Sequence, residues 1–186
     1  LGDVYKRQMQ TCIGPSEEHV SMAGIPTEAS ILDMVERAMP GRVQNVYAHS
    51  SGGGKFIAVI QFKKTVPSDE GRQRQAALLA FSAFPELKQV ILVDEDVDIF
   101  DTNDVLWAMT TRMQADVDIV TIPGVRCHPL DPSNDPACSW SIRDHGIACK
   151  TIYDATVPFN QKARFQRAKF MEVDVKKFLP DFTVQD

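Results

Sequence analysis

The residues with the most chemical potential form one run, Asp94-Glu95-Asp96-Val97-Asp98-Ile99-Phe100-Asp101-Thr102-Asn103-Asp104. Carboxylates at alternate positions can surround calcium, but an EF-hand loop needs Gly at its sixth position and Glu at its twelfth. Ile99 and Val105 stand there, so the calcium reading fails. Acids at the carboxyl end of a buried strand, just ahead of a helix, do sit where α/β domains place their sites. The plainer role is an acidic turn that caps helix N-termini, and that structural role is the expectation. Crowding Asp94, Asp96, Asp98 and Asp101 into one stretch then demands counter-charges, for which Arg112, Arg126 and Lys88 are the candidates.

Cys127-His128, Cys138, His145 and Cys149 offer the ligand types zinc prefers, but their spacing matches no C-x-x-C knuckle, and no metal site is expected. A thiol nucleophile at Cys127 is no better supported, because neighbours in sequence rarely present their side chains to each other. His128 is read instead as a loop histidine facing a pocket or a subunit contact. The Gly52-Gly53-Gly54-Lys55 run falls short of a Walker loop, which needs Gly at His49 and Ser or Thr at Phe56. It reads as a flexible hairpin connection.

Regular elements must hold these groups. Pro26 and Glu28 open a first helix with Ile31, Leu32, Val35, Ala38 and Met39 on one face, and Pro40-Gly41 stops it. Val43 to Ala48 and Phe56 to Phe62 read as an antiparallel pair of strands. Pro67-Ser68-Asp69-Glu70 then opens a second helix with Ser68 as its cap and Ala77, Ala80, Phe81 and Phe84 as its stripe. Val90 to Val93 is an apolar run typical of a strand covered on both faces. A third helix, capped by Thr102 or Asn103, lines up Val105, Leu106, Met109 and Met113, and Ile119 to Ile122 follows as another buried strand. Residues 123–150 have no period and read as a long loop, Thr151 to Tyr153 as a last short strand, and Val173 to Leu179 as a terminal helix. The expected fold is a layered α/β domain with a mixed sheet and an extended C-terminal tail.

Composition sets the outer limits. The chain has 186 residues, enough for one domain with a real core. Twenty basic against twenty-five acidic residues leave a formal charge of −5, which argues against nucleic acid or anionic membrane as partners. There is no apolar run of the roughly 18 residues that a membrane span needs. Four cysteines (Cys12, Cys127, Cys138 and Cys149) are too sparse for a disulfide scaffold, which favours a cytoplasmic setting. Phe159, Phe165, Phe170, Phe178 and Phe182 load a weakly periodic tail with aromatic surface that calls for a partner, so self-association is expected.

The first eight residues stand apart. Leu1 is not a start methionine, and Asp3-Val4-Tyr5-Lys6-Arg7-Gln8 looks like a translated sequencing adapter. Residues 1–8 are therefore set aside, the natural sequence is expected to begin near Met9, and the gene to have been cut within the protein.

Three segments carry a family resemblance: Gly24 to Ile31, Val90 to Arg112 (VILVDEDVDIFDTNDVLWAMTTR) and Ile122 to Ser133 (IPGVRCHPLDPS). With Asp154-Ala155-Thr156-Val157-Pro158 they resemble the UbiD family of prenylated-flavin-dependent decarboxylases, in the branch acting on hydroxylated aromatic acids such as 4-hydroxybenzoate and gallate. The resemblance runs from about Gly14 onward and aligns with the last third of such proteins. It implies that residues 9–186 are a C-terminal domain that builds a homo-oligomer and closes one side of the cleft. It also implies a non-oxidative, reversible loss of carbon dioxide from an aromatic carboxylic acid. Prenylated FMN, a divalent manganese or magnesium ion and an accompanying potassium ion belong, by the same resemblance, to an upstream domain. The catalytic acid and base residues lie there too, so no catalytic residue is assigned in this chain. Val157, Pro158 and Phe159 match a pocket-lining stretch, and Glu18 and Met22 approach the same pocket. His128 and Arg126 are donors of the right chemistry for ring hydroxyls. The rival reading is a stand-alone oligomerisation or binding module without catalysis.

Overall fold

A computed structural model describes residues 20–128, 131–134, 146–168 and Lys177. A mixed five-stranded sheet lies between two helices on one face and one on the other. Its strands are β1 (Val43–Ala48), β2 (Ile57–Phe62), β3 (Gln89–Val93), β4 (Ile119–Arg126) and β5 (Ile147–Ala155), in the order β1-β2-β3-β5-β4. β2, β3 and β5 run parallel, and the outer strands β1 and β4 are antiparallel to their neighbours. The α/β class and the antiparallel β1-β2 pair agree with the sequence reading.

Helix α1 (Ile25–Ala38) follows a π-helical turn at Val20–Gly24. It buries Thr27, Ile31 and Val35, while Leu32, expected on the same face, is 38% exposed because its position points off the stripe. The Glu28 carboxylate accepts the Ala48 N–H at 2.9 Å and so ties the start of α1 to the end of β1. The glycine run between β1 and β2 is a shaped turn rather than a loose tether. Ser50–Gly52 forms a 3-10 turn capped by the His49 ring, and Gly53 and Gly54 both take φ +66°. A Cβ at Gly52 would lie 2.5 Å from Ile57 Cγ2, so only glycine fits there.

Helix α2 spans Arg72–Ala83, and Gly71 rather than Ser68 is its cap, at φ +87°. Pro67–Asp69 is a separate 3-10 turn, organised by the Asp69 carboxylate, which accepts the Thr65 and Val66 N–H groups. Helix α3 spans Thr102–Arg112 and is capped by Asp101, whose Oδ1 accepts the Asn103 N–H at 2.9 Å, not by Thr102 or Asn103 themselves. Its buried side is Val105 and Ala108; Leu106, expected on that side, is 51% exposed. A single turn, α4 (Ala115–Asp118), leads into β4.

The side-chain period of two in the strands splits the core cleanly. Ala58, Ile60, Val90, Leu92 and Ile152 face α1 and α2. Val59, Ile91, Val93 and Ala155 face α3 together with Val97 and Ile99. β4 departs most from expectation: it is a half-exposed edge strand reaching Arg126, with Pro123, a Gly124 at φ +72° and a register shift between Ile122 and Val125. β5 is likewise longer than expected, nine residues and buried between β3 and β4, so the loop between them is shorter than 123–150. Val173 to Leu179 lies outside the described residues apart from Lys177.

Candidate functional site

The acidic run leaves the carboxyl end of β3 as a compact turn. Asp104 Oδ2 accepts the Asp98 N–H at 2.7 Å, Asp98 Oδ1 accepts the Phe100 N–H at 3.0 Å, and Asp101 caps α3. Three of the carboxylates are therefore spent on backbone amides, the structural role expected of them. The expected counter-ion Arg112 is in place at the far end of α3, with its side chain only 2% exposed. Its Nη1 donates to Asp96 Oδ1 at 2.8 Å and to Asp94 Oδ2 at 3.1 Å, and its Nη2 to Asp96 Oδ2 at 2.5 Å. Burial works to raise the Asp96 carboxyl, but hydrogen bonds and charge from Arg112 outweigh it and hold the group below its ordinary value. Asp94 goes the other way: it is deeply buried, and burial pushes its carboxyl up despite the Val157 N–H and Arg112.

Lys88 and Arg126 take no part in this compensation. Lys88 pairs with Asp131 at 2.8 Å, and Arg126 lies exposed at the end of β4. The cations that sequence reasoning missed come from the segment after β5. Lys162 Nζ reaches Glu95 at 3.0 Å, while Arg167 reaches Asp104 at 2.7 Å and Asp96 at 3.5 Å. Arg167 also stacks on Trp107, 4.1 Å from the ring centroid, with Arg112 at 5.0 Å. No helical or strand period marks that segment, so only its basic residues could have signalled the pairing.

Between the turn and this segment lies an open cavity of about 420 Å³, lined by Asp94, Arg112, Val157, Lys162, Phe165 and Arg167, among others. Val157 is buried at its wall, Pro158 is exposed and Phe159 half-buried. These three proposed pocket residues are contiguous at the end of β5. Arg126 and His128 are not with them. β4 runs antiparallel to β5, so Arg126 pairs with Ile147 at the start of that nine-residue strand, roughly 25 Å from its end. His128 is buried there against the edge of the Phe56 ring, with Nε2 3.3 Å from Glu86, and burial lowers its basicity. Met22, 79% exposed, precedes α1 at the end where Glu28 meets Ala48, the same end of the sheet as His128. Glu18 lies outside the described residues. The six described residues therefore divide between two ends of the domain, Val157, Pro158 and Phe159 at one and Met22, Arg126 and His128 at the other.

The second cluster is described at Cys127, His128 and Cys149. Cys127 is buried beside Asn134, and burial together with the charge of Asp131 pushes its thiol up, the reverse of an activated thiolate. Cys138 and His145 lie outside the described residues. Among the described residues no three His, Cys, Asp or Glu side chains gather as a metal site. The residues around the cavity do not fit a flavin either. Its cations are already bound to Asp94, Glu95 and Asp96, which would repel a phosphate.

Comparison with known proteins identifies the fold's relatives. Residues 20–155 match the 3-octaprenyl-4-hydroxybenzoate carboxy-lyase C-terminal domain. Gallate decarboxylase of Lactiplantibacillus plantarum is 62% identical over 173 residues, which cover 92% of this chain and 35% of that protein. The crystal structure of apo 3,4-dihydroxybenzoic acid decarboxylase from Klebsiella pneumoniae superposes with a TM-score of 0.83 at 61% identity, again over 92% of this chain and 35% of that one. A UbiD-class enzyme from Pelotomaculum thermopropionicum, solved in complex with FMN, follows at 33% identity and a TM-score of 0.76, covering 90% of this chain and 35% of its own. This chain thus spans about a third of the length of these relatives. With a family match over most of its length and a fold shared with these enzymes, the chain belongs to the UbiD family as a member of its C-terminal domain.

Proposed function

We propose that residues 9–186 form the C-terminal domain of a subunit that reversibly removes carbon dioxide from a hydroxylated aromatic acid of the gallate or dihydroxybenzoate kind. The observation that carries this reading is the 62% identity with a gallate decarboxylase across nearly the whole chain. In this reading the domain assembles a homo-oligomer and closes one side of the active-site cleft with Val157, Pro158 and Phe159. Loss of carbon dioxide from an sp² carbon leaves an electron pair, for which prenylated FMN supplies the sink. That cofactor, with manganese or magnesium and potassium, would be held by residues outside this chain. Met22, Arg126 and His128 then face a neighbouring subunit or domain rather than the Val157 wall. The free thiols of Cys127 and Cys149 suit a cytoplasmic protein.

The test is the full-length subunit, expressed with a source of prenylated FMN and assayed for carbon dioxide release from gallate and 3,4-dihydroxybenzoate. Turnover of a hydroxylated aromatic acid is the expected result, and a folded, cofactor-loaded enzyme inert toward all of them sinks the reading. The present chain alone is expected to bind no flavin; flavin absorbance co-purifying near stoichiometry would place the cofactor site here instead.

A further inference from the structure

Val157-Pro158-Phe159 leaves the sheet after Ala155 and joins no strand, yet charged side chains meet its backbone at every turn. The Val157 N–H donates to Asp94 Oδ2 at 2.7 Å, and the Val157 carbonyl accepts from Lys64 Nζ at 3.1 Å. The Phe159 N–H donates to Glu70 Oε2 at 2.9 Å. Pro158, between them, has no N–H to offer. Lys64 Nζ also donates to Glu70 Oε1 at 2.8 Å, which closes the contacts into a frame around the tripeptide. The three charges arrive from three places: just past β2, just before α2, and the end of β3.

The frame is a costly way to satisfy three backbone groups. Lys64 and Asp94 are 3% and 4% exposed, and Asp94 Oδ1 is buried with no hydrogen-bond partner among the described residues. Water or a neighbouring strand would serve the same two N–H groups and one carbonyl without desolvating an ammonium and a carboxylate. What charged, cross-linked partners add is a fixed geometry, because each is itself held by a second contact. Asp94 is held by Arg112, and Lys64 and Glu70 hold each other. The Val157 side chain is thereby set into the cavity wall, with the backbone of Pro158 and Phe159 fixed directly after it.

We propose that Lys64, Glu70 and Asp94 are positioning residues that present Val157, Pro158 and Phe159 as a rigid wall of the aromatic-acid pocket. The pocket half of this rests on the function proposed above; the frame itself is testable without it. In the present chain, amide hydrogen exchange is read at Val157 and Phe159 in K64M, E70A and K64R. Exchange at the two amides should accelerate about tenfold in K64M and E70A, with β3 and β5 protected as in the wild type, and K64R should recover most of the protection. The Glu70 side chain is 46% exposed, so E70A reports on the frame even where K64M does not fold. Unchanged exchange at both amides overturns the proposal, as does loss of protection spread evenly over the sheet. In the active full-length enzyme, K64M should raise KM for the aromatic acid about tenfold with kcat changed less than about threefold. An unchanged KM, with activity falling only in step with folded protein, reduces the frame to a stabilising one. An inactive wild type would instead sink the function while leaving the exchange result to judge the frame.

Discussion

Arg74 Nε lies 2.8 Å from Asp154 Oδ2, joining helix α2 to the buried strand β5. The same oxygen accepts Gln73 Nε2 at 3.0 Å, and Arg74 Nη2 reaches Asp118 at 3.0 Å, so one guanidinium fastens α2, β5 and α4 together. Asp154 is 3% exposed and cannot turn to water if its partner is removed. R74A should therefore cost about 2–3 kcal/mol in urea unfolding, without a change in slope. Thr156 Oγ1 donates to Asp154 Oδ1 at 2.6 Å, and a loss under about 0.5 kcal/mol would show that Gln73 and Thr156 satisfy the carboxylate by themselves.

The Asp69 carboxyl titrates at about 2: burial alone would raise it, but the Thr65 and Val66 amides and Arg42 outweigh that. Because its folded value lies below its unfolded one, the stability it lends is complete above about pH 4 and drains away as the pH falls toward 2. D69N should remove this acid-sensitive component and lower stability at neutral pH by about 1–3 kcal/mol. Unfolding curves for wild type and D69N that run parallel from pH 7 to pH 2 would contradict it.

Asp101 caps α3 with a single side-chain acceptor. D101A is expected to cost about 1 kcal/mol, and D101S to restore most of it, by thermal unfolding. Equal losses in both variants would mean that the carboxylate charge matters more than the cap.

Asp96 separates structure from catalysis in the acidic turn. It is the carboxylate most fully gripped by Arg112, so D96N should lower stability by about 1–2 kcal/mol. Turnover per folded molecule of the full-length enzyme should stay the same. Abolished turnover at an unchanged melting temperature would move this carboxylate into the active site.

Much of the fold was legible because hydrophobic period and strand length are local properties. The Val90–Val93 run and the Ile31–Val35 face announce their burial directly. The caps were harder: Ser68 has the right chemistry, yet Gly71 starts α2, because Asp69 draws the preceding backbone into its own turn. Ile119 to Ile122 is nearly as apolar as β3 and so reads as buried, and only the sheet order puts β4 on the outside. The site was legible in its acids and in Arg112, but its other partners, Lys64, Lys162 and Arg167, lie more than fifty residues away in sequence from the groups they meet or on segments without a period. Arg126 and His128 failed to join Val157 for a similar reason: strand direction, which decides the end of the sheet a loop occupies, is not written in the loop.

The outer strand β4 also constrains how copies of this domain can meet. Pro123 offers no amide, and Gly124 and the shifted register around it break the even spacing that an incoming strand would need. A neighbouring chain that continued the sheet along that margin would lose its even rungs past Ile122. The break works against the indiscriminate backbone pairing that seeds fibrils and shifts recognition on that side toward side chains, where specificity resides.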